Sequence, residues 1–177
     1  SLYSAKIKKK INIVAFEPSP QNFTLLTKNI SLNKMSENII AIPNPLDQIN
    51  NHISYFKEND IEEAGSKSNF DNNFDTSNYS NVFKTIGLSI DYLTGNKIFQ
   101  IPTYIKIDVD GNEKKIIQGA TNTLDNKILK SILIESNDKD NEKNEIVNFL
   151  ENKNFKLHKS TVTSKKSGNQ NLIFIRK

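Results

Sequence analysis

The stretch Tyr104-Ile105-Lys106-Ile107-Asp108-Val109-Asp110-Gly111 predicts a strand that turns sharply into a helix. The apolar and β-branched residues favour the strand, and Gly111 permits a tight turn. Beyond the turn, apolar residues recur at helical spacing as Ile116, Ile117, Ala120 and Leu124. A buried strand that ends in carboxylates and leads directly into a helix is typical of an α/β sheet.

The N-terminal part repeats this pattern. The run Ile11 to Phe16 reads as a short buried strand that ends in Glu17-Pro18. Ser19-Pro20 then supplies a capping residue and a proline at the first helical position, which predicts a helix running to about Asn33. A second apolar strand follows from Asn38 to Pro43. Strand, helix and strand in this spacing predict a right-handed βαβ unit with parallel strands.

The C-terminal part predicts a strand, a helix and a hairpin. The strand is Ser131 to Glu135, and an amphipathic helix follows from about Asn141 to Glu151. Two further strands, Phe155 to His158 and Leu172 to Ile175, flank a polar loop. We therefore expect an α/β fold with a mostly parallel sheet and a C-terminal antiparallel hairpin.

One segment, Gln48 to Lys84, lacks a regular pattern. It is rich in Asn, Ser, Asp and Lys, and its aromatic residues are isolated. A loop of this length inside a compact domain is usually functional or disordered, and the aromatics argue against pure disorder. We predict a single domain over 1–177 that carries an irregular insertion or acceptor loop over 48–84.

Composition excludes several classes of protein. The chain has no Cys, which removes disulfide frameworks, thiolate zinc sites and Cys nucleophiles and favours a cytoplasmic location. No apolar run approaches the roughly 20 residues that cross a bilayer. The net charge of +4 is scattered except at Lys8-Lys9-Lys10, which we interpret as solvated lysines. We expect a soluble protein with no membrane span and no nucleic-acid partner.

Carboxylates end three of the predicted strands: Glu17, the pair Asp108 and Asp110, and Glu135. Ligands bind beyond the carboxyl ends of strands in open α/β sheets, so these acids are expected to converge on one crevice. The alternative is that each acid caps the following helix. We favour a functional role for Glu17 and a capping role for Asp110, and Asp108 lies between the two.

A calcium loop around Gly111 is excluded by its spacing. With Gly111 at the sixth position, the first and last ligands would be Lys106 and Ile117, and neither binds a cation. We expect no metal site. The two His residues carry no recognisable motif, and no nucleophile elbow, P-loop or zinc pattern is present in the sequence.

Three blocks of sequence, in this order and spacing, resemble the motifs of FkbM-type methyltransferases. They are Val14-Ala15-Phe16-Glu17-Pro18-Ser19-Pro20-Gln21-Asn22-Phe23, Leu88-Ser89-Ile90-Asp91-Tyr92-Leu93, and Tyr104 to Glu113 with Gly119-Ala120. The resemblance covers nearly the whole chain. It implies a class I enzyme that uses S-adenosyl-L-methionine and has a seven-stranded Rossmann-like sheet.

The resemblance also implies roles for single residues in cofactor binding. Glu17 would bind the ribose of the cofactor, because its two oxygens match a vicinal diol. Pro18 would shape that turn. Leu46 and Asp47, after the next strand, would lie beside the adenine.

For the acceptor, the resemblance implies that Asp108 and Asp110 line the methyl-transfer site, where an acid orients or deprotonates a hydroxyl. Ala64-Gly65-Ser66 would belong to a loop over the acceptor. The implied reaction is methyl transfer to an oxygen of a sugar or another small molecule.

The family's first strand and its glycine-rich cofactor loop have no counterpart in this sequence. In the resembled sheet that strand lies between the strands ending at Glu17 and Asp108. We therefore expect a fragment of a longer protein, which by itself binds cofactor poorly and is inactive, because two strand edges lack their partner.

Two alternatives stay open. A nicotinamide-dependent dehydrogenase also places an acid after its second strand, and the residues preceding Ser1 would separate the two classes. The other alternative is a catalytically silent domain that keeps the fold and binds a partner through the Asn-rich segment. A nucleic-acid methyltransferase is less favoured, because no basic and aromatic stripe is present.

Overall fold

The computed structural model describes residues 2–7, 11–59, 68–73, 77, 79–136, 142–163 and 168–177. Within these ranges the chain is a mixed α/β protein with six helices and nine strands. The chain divides into two compact units: Ser1–Leu46 with His52–Gly87, and Asp47–Asn51 with Leu88–Lys177. The single domain over 1–177 stays a prediction, and the two units are described separately.

The helices are α1 Leu2–Ile7, α2 Pro20–Leu32, α3 Ile90–Gly95, α4 Glu113–Gln118, α5 Thr121–Asp125 and α6 Glu142–Asn152. The strands are β1 Ile13–Phe16, β2 Ile39–Ile42, β3 His52–Glu58, β4 Ser68–Asp71, β5 Asn81–Gly87, β6 Tyr104–Ile107, β7 Ser131–Ser136, β8 Phe155–Val162 and β9 Gln170–Arg176. None of the described helices combines the length and apolar character that a bilayer crossing requires.

The first unit begins with the predicted strand, helix and strand. β1 and β2 pair in parallel, from Ile13 opposite Ile39 to Phe16 opposite Ile42. Ser19 caps α2 by accepting a hydrogen bond from the Asn22 N–H, and a proline occupies the first turn. Because this cap satisfies an otherwise unpaired helix donor, the local sequence determines where the helix begins. The predicted parallel unit of two strands and a helix is confirmed.

The first unit also contains a three-stranded antiparallel sheet in the order β4-β3-β5. Phe56, at the centre of β3, is opposite both Phe70 and Phe83 and is buried. The prediction of an irregular segment over 48–84 is therefore wrong for the residues of β3, β4 and β5. The pairing partners lie far apart in the sequence, and such pairing, more than local propensity, stabilises these polar strands. An acceptor loop in this segment stays a prediction, and Ala64-Gly65-Ser66 lies outside the described residues.

The second unit contains a four-stranded sheet in the order β6-β7-β9-β8. β6 and β7 are parallel, whereas β9 pairs antiparallel with both β7 and β8. The predicted C-terminal hairpin is confirmed. Fully buried apolar side chains form the core of this unit, including Ile132, Ile134, Leu150, Phe155, Leu172 and Phe174.

The predicted mostly parallel sheet is not what the described strands form. Two of their pairings are parallel, β1 with β2 and β6 with β7, and the other four are antiparallel. The difference comes from the sheet of β3, β4 and β5 and from the terminal hairpin. The α/β class is confirmed, and a seven-stranded Rossmann-like sheet stays a prediction.

Candidate functional site

The turn after β1 holds the first predicted site residue, Glu17. Its N–H donates to the Ile42 carbonyl at 3.0 Å, which extends the parallel pairing by one residue. Its carboxylate Oε1 accepts a hydrogen bond from the Ser19 N–H at 3.0 Å, across Pro18. Ser19 caps α2 through its own hydroxyl, so Glu17 is not the helix cap. The Glu17 carboxylate is therefore positioned by its own turn at the carboxyl end of a strand.

The surroundings of Glu17 disfavour its charged form. Burial raises the pKa of Glu17 above its ordinary value of 4.5, and the hydrogen bond from Ser19 partly offsets this rise. The charge of Glu58 raises the pKa further. Glu58 ends β3 in the same unit and is 3% exposed. A buried second carboxylate thus acts on the residue that the sequence singles out for the cofactor.

Leu46 and Asp47 fall in different units of the chain. Leu46 is half-buried, whereas Asp47 is 5% exposed. The Asp47 N–H donates to the Leu88 carbonyl at 2.9 Å, and its carboxylate Oδ1 accepts from the Gln48 N–H at 2.8 Å. A Cβ placed on Gly119 would come within 2.3 Å of the Asp47 carbonyl oxygen, so the backbones approach closely there. The described geometry holds Asp47 by backbone contacts within the second unit.

The turn after β6 carries the predicted catalytic residues. Asp108 and Asp110 are both exposed, and Asp108 forms an ion pair with Lys106. Asp108 also shares a hydrogen bond with Glu135, at the end of the neighbouring parallel strand β7. Glu135 Oε1 accepts a further hydrogen bond from the Thr163 hydroxyl at 2.9 Å. Two of the strand-end acids, Asp108 and Glu135, therefore lie close together, and their convergence with Glu17 on one crevice stays a prediction.

Asp108 stays ionised over a wide pH range. Its partial burial acts to raise its pKa, but hydrogen bonds with Lys106 and Glu135 outweigh burial and hold the pKa below its ordinary value of 3.8. The Asp108 carboxylate in this turn can therefore accept a hydrogen bond from a hydroxyl group.

Asp110 does not occupy the N-cap position of α4, and its predicted capping role stays a prediction. Asn112 occupies the N-cap position of α4, and its side chain makes no capping hydrogen bond. Gly111 adopts φ +105°, a conformation that favours glycine. The turn therefore continues past Asp110 before the helix begins, and this places Asp110 outside the cap position.

Glu113 is a buried carboxyl group close to this turn, and the sequence pattern predicted no role for it. It begins α4 and is 5% exposed. Burial raises its pKa to about 7, against hydrogen bonds from its own N–H and that of Gly111, and the charges of Glu142 and Asp110 add to the rise. The spacing to Ile116 and Ile117 could have identified it, because residues three and four positions apart share a helix face.

Among the described side chains, no group of three or more His, Cys, Asp or Glu residues is placed so that it could hold a metal ion.

Comparisons with known proteins agree with this fold. Residues 2–157 match the model of the methyltransferase FkbM domain. No curated protein matches the chain. The crystal structure of methyltransferase FkbM from Methylobacillus flagellatus KT is similar, with a TM-score of 0.68 and 14% sequence identity. That likeness covers 97% of this chain and 39% of the other, so the chain spans less than half the length of its structural neighbour.

The α/β fold and the family match together place the chain in the structural class of methyltransferase domains. The chain belongs to the FkbM methyltransferase family. This membership does not favour the nicotinamide-dependent dehydrogenase.

Proposed function

We propose that this protein transfers a methyl group from S-adenosyl-L-methionine to an oxygen of a sugar or another small molecule, in the cytoplasm. The family match over residues 2–157 carries this proposal. Carboxylates at the ends of β1 and β6 support it, because the strand ends of α/β proteins are where ligands bind.

The residues of the first unit fit a ligand rich in hydrogen-bond donors. Glu17 is half-buried, and only its Oε1 is used in holding the turn to Ser19. In our proposal the Glu17 carboxylate binds the ribose hydroxyls and Pro18 shapes the turn. Leu46, in the first unit, and Asp47, which begins the second unit, are assigned to the adenine in our proposal. S-adenosyl-L-methionine, when bound, supplies the activated methyl group on its sulfonium sulfur.

Asp108 and Asp110 are proposed to line the methyl-transfer site. Asp108 is ionised at neutral pH because its pKa is held low, so it accepts a hydrogen bond from the acceptor hydroxyl and orients the oxygen. Asp108 would take the hydroxyl proton while the oxygen gains the methyl group and the sulfonium sulfur loses it. Because a carboxylate with a low pKa is a weak base, orientation is its larger contribution.

The Glu17→Ala variant of the full-length protein tests this function. We expect wild type to bind S-adenosyl-L-methionine in isothermal titration calorimetry and the variant to show no measurable binding, because the diol loses its acceptor. The matched control is Glu37→Ala, since Glu37 is exposed in the turn before β2. Wild type that binds no cofactor would refute the function and favour a silent domain. Unchanged affinity in Glu17→Ala would refute the role of Glu17.

A further inference from the structure

Glu58 carries a buried oxygen whose purpose the fold does not explain. The residue ends β3 and is 3% exposed. Its Oε1 accepts a hydrogen bond from the Asn81 side-chain amide at 2.8 Å, across the antiparallel pair of β3 and β5. In the described part of the chain, Oε2 is buried and meets no hydrogen-bond donor.

A buried oxygen without a hydrogen-bond donor destabilises the folded protein. Most buried polar atoms in native structures have a hydrogen-bond partner. A buried carboxylate without one loses its hydration, and no hydrogen bond replaces it. The Asn81 amide satisfies one oxygen and fixes the position of the side chain. A donor from a bound molecule would satisfy the other.

Glu17 locates this oxygen relative to the proposed cofactor site. Both residues belong to the first unit, and the two carboxyl groups lie close enough for the charge of Glu58 to act on Glu17. Two neighbouring carboxylates attract groups that donate hydrogen bonds and repel anions. The pair is therefore suited to a polyhydroxyl group and unsuited to a phosphate.

We propose that Glu58 is a second ribose-binding residue: its Oε2 accepts a hydrogen bond from the ribose that Glu17 binds, and the two carboxylates exclude nucleosides that carry a phosphate on that ribose. This inference rests on the proposed function. It assigns Glu58 a role in specificity, because rejection of a phosphate needs the charge as well as the hydrogen bond.

The test compares ligands that differ only at the ribose. The full-length protein is titrated with S-adenosylhomocysteine, and adenosine and adenosine 2′-phosphate are then used as competitors. Wild type should bind adenosine at least tenfold more tightly than adenosine 2′-phosphate. Glu58→Gln should lower the affinity for S-adenosylhomocysteine roughly tenfold or more, because a hydrogen bond to a charged group is lost. It should also reduce the preference for adenosine over its 2′-phosphate.

The controls separate binding from folding. Glu58→Gln retains a side-chain oxygen for Asn81, and its melting temperature shows whether the fold is kept. Glu37→Gln, an exposed substitution of the same chemistry, should leave affinity and preference unchanged. A wild type that binds adenosine 2′-phosphate as tightly as adenosine overturns the inference, whatever the variant does. Unchanged affinity and preference in Glu58→Gln also overturn it, while binding of S-adenosylhomocysteine by wild type leaves the proposed function standing.

Discussion

Glu113→Gln should make the stability of the protein less sensitive to pH. In the folded chain the Glu113 carboxyl group is buried near Asp110 and Glu142, and its pKa is raised from 4.5 to about 7. Gln has nearly the same shape and carries no charge. The substitution therefore removes the cost of ionising a buried carboxyl group and keeps a side-chain oxygen for the Gly111 N–H.

The magnitude follows from the two pKa values. When the difference between the two pKa values is converted to free energy, it amounts to about 3 kcal/mol. Between pH 4.5 and 7 the folded state binds more protons at Glu113 than the unfolded state, so the free energy of unfolding falls as pH rises. The contribution of Glu113 to stability is fully present below pH 4.5 and is lost as pH rises through about 7.

The assay is urea unfolding of the full-length protein between pH 4 and pH 8.5, with wild type and Glu113→Gln measured in parallel. The free energy of unfolding of the variant, relative to that of wild type, should rise by about 3 kcal/mol from the acid end to the alkaline end of this range. The matched control is Glu151→Gln, on the exposed side of α6, and its difference from wild type should not change with pH. A difference between Glu113→Gln and wild type that is constant across the range would refute the reasoning.

Two further predictions concern contacts within the second unit. Asp91 accepts three hydrogen bonds of 2.8 Å at the start of α5, so Asp91→Ala should cost about 2–4 kcal/mol in urea unfolding. Asp125→Ala, which removes an exposed ion pair, should cost less than about 1 kcal/mol, and equal losses would contradict this account. Gly119→Ala should cost about 3 kcal/mol, because its Cβ would meet the Asp47 carbonyl oxygen at 2.3 Å. Gly95→Ala, with nothing within 4 Å, should change stability by less than about 1 kcal/mol, and a similar loss at both glycines would rule out the clash.

Local sequence was sufficient wherever a neighbouring residue decides the structure. Ser19 and Pro20 predicted the start of α2, and Ser89 marks the start of α3 in the same way by accepting from the Tyr92 N–H at 3.2 Å. Helix caps act over three or four residues, so they can be recognised in the sequence. The hairpin of β8 and β9 was predictable for the same reason, because its strands adjoin a single polar loop.

The sheet of β3, β4 and β5 could not be predicted from local pattern. Its strands contain buried polar residues such as Lys57, which is 2% exposed and forms an ion pair with Asp71 at 2.8 Å. Side chains of this kind suggest a loop when the sequence is read by itself. Partners far along the chain satisfy them in the folded protein, so the strands are stable.

The sequence by itself determined the α/β class, the parallel unit of β1, α2 and β2, and the acids at the strand ends, since each depends on short-range pattern. Only the tertiary structure decided which acids are buried and which carboxyl groups meet. It buries Glu113 and Glu58, whereas Asp108 remains exposed at its turn. Burial and charge interactions arise from residues distant in sequence, and they set the pKa and the hydrogen-bonding demand of each carboxyl group.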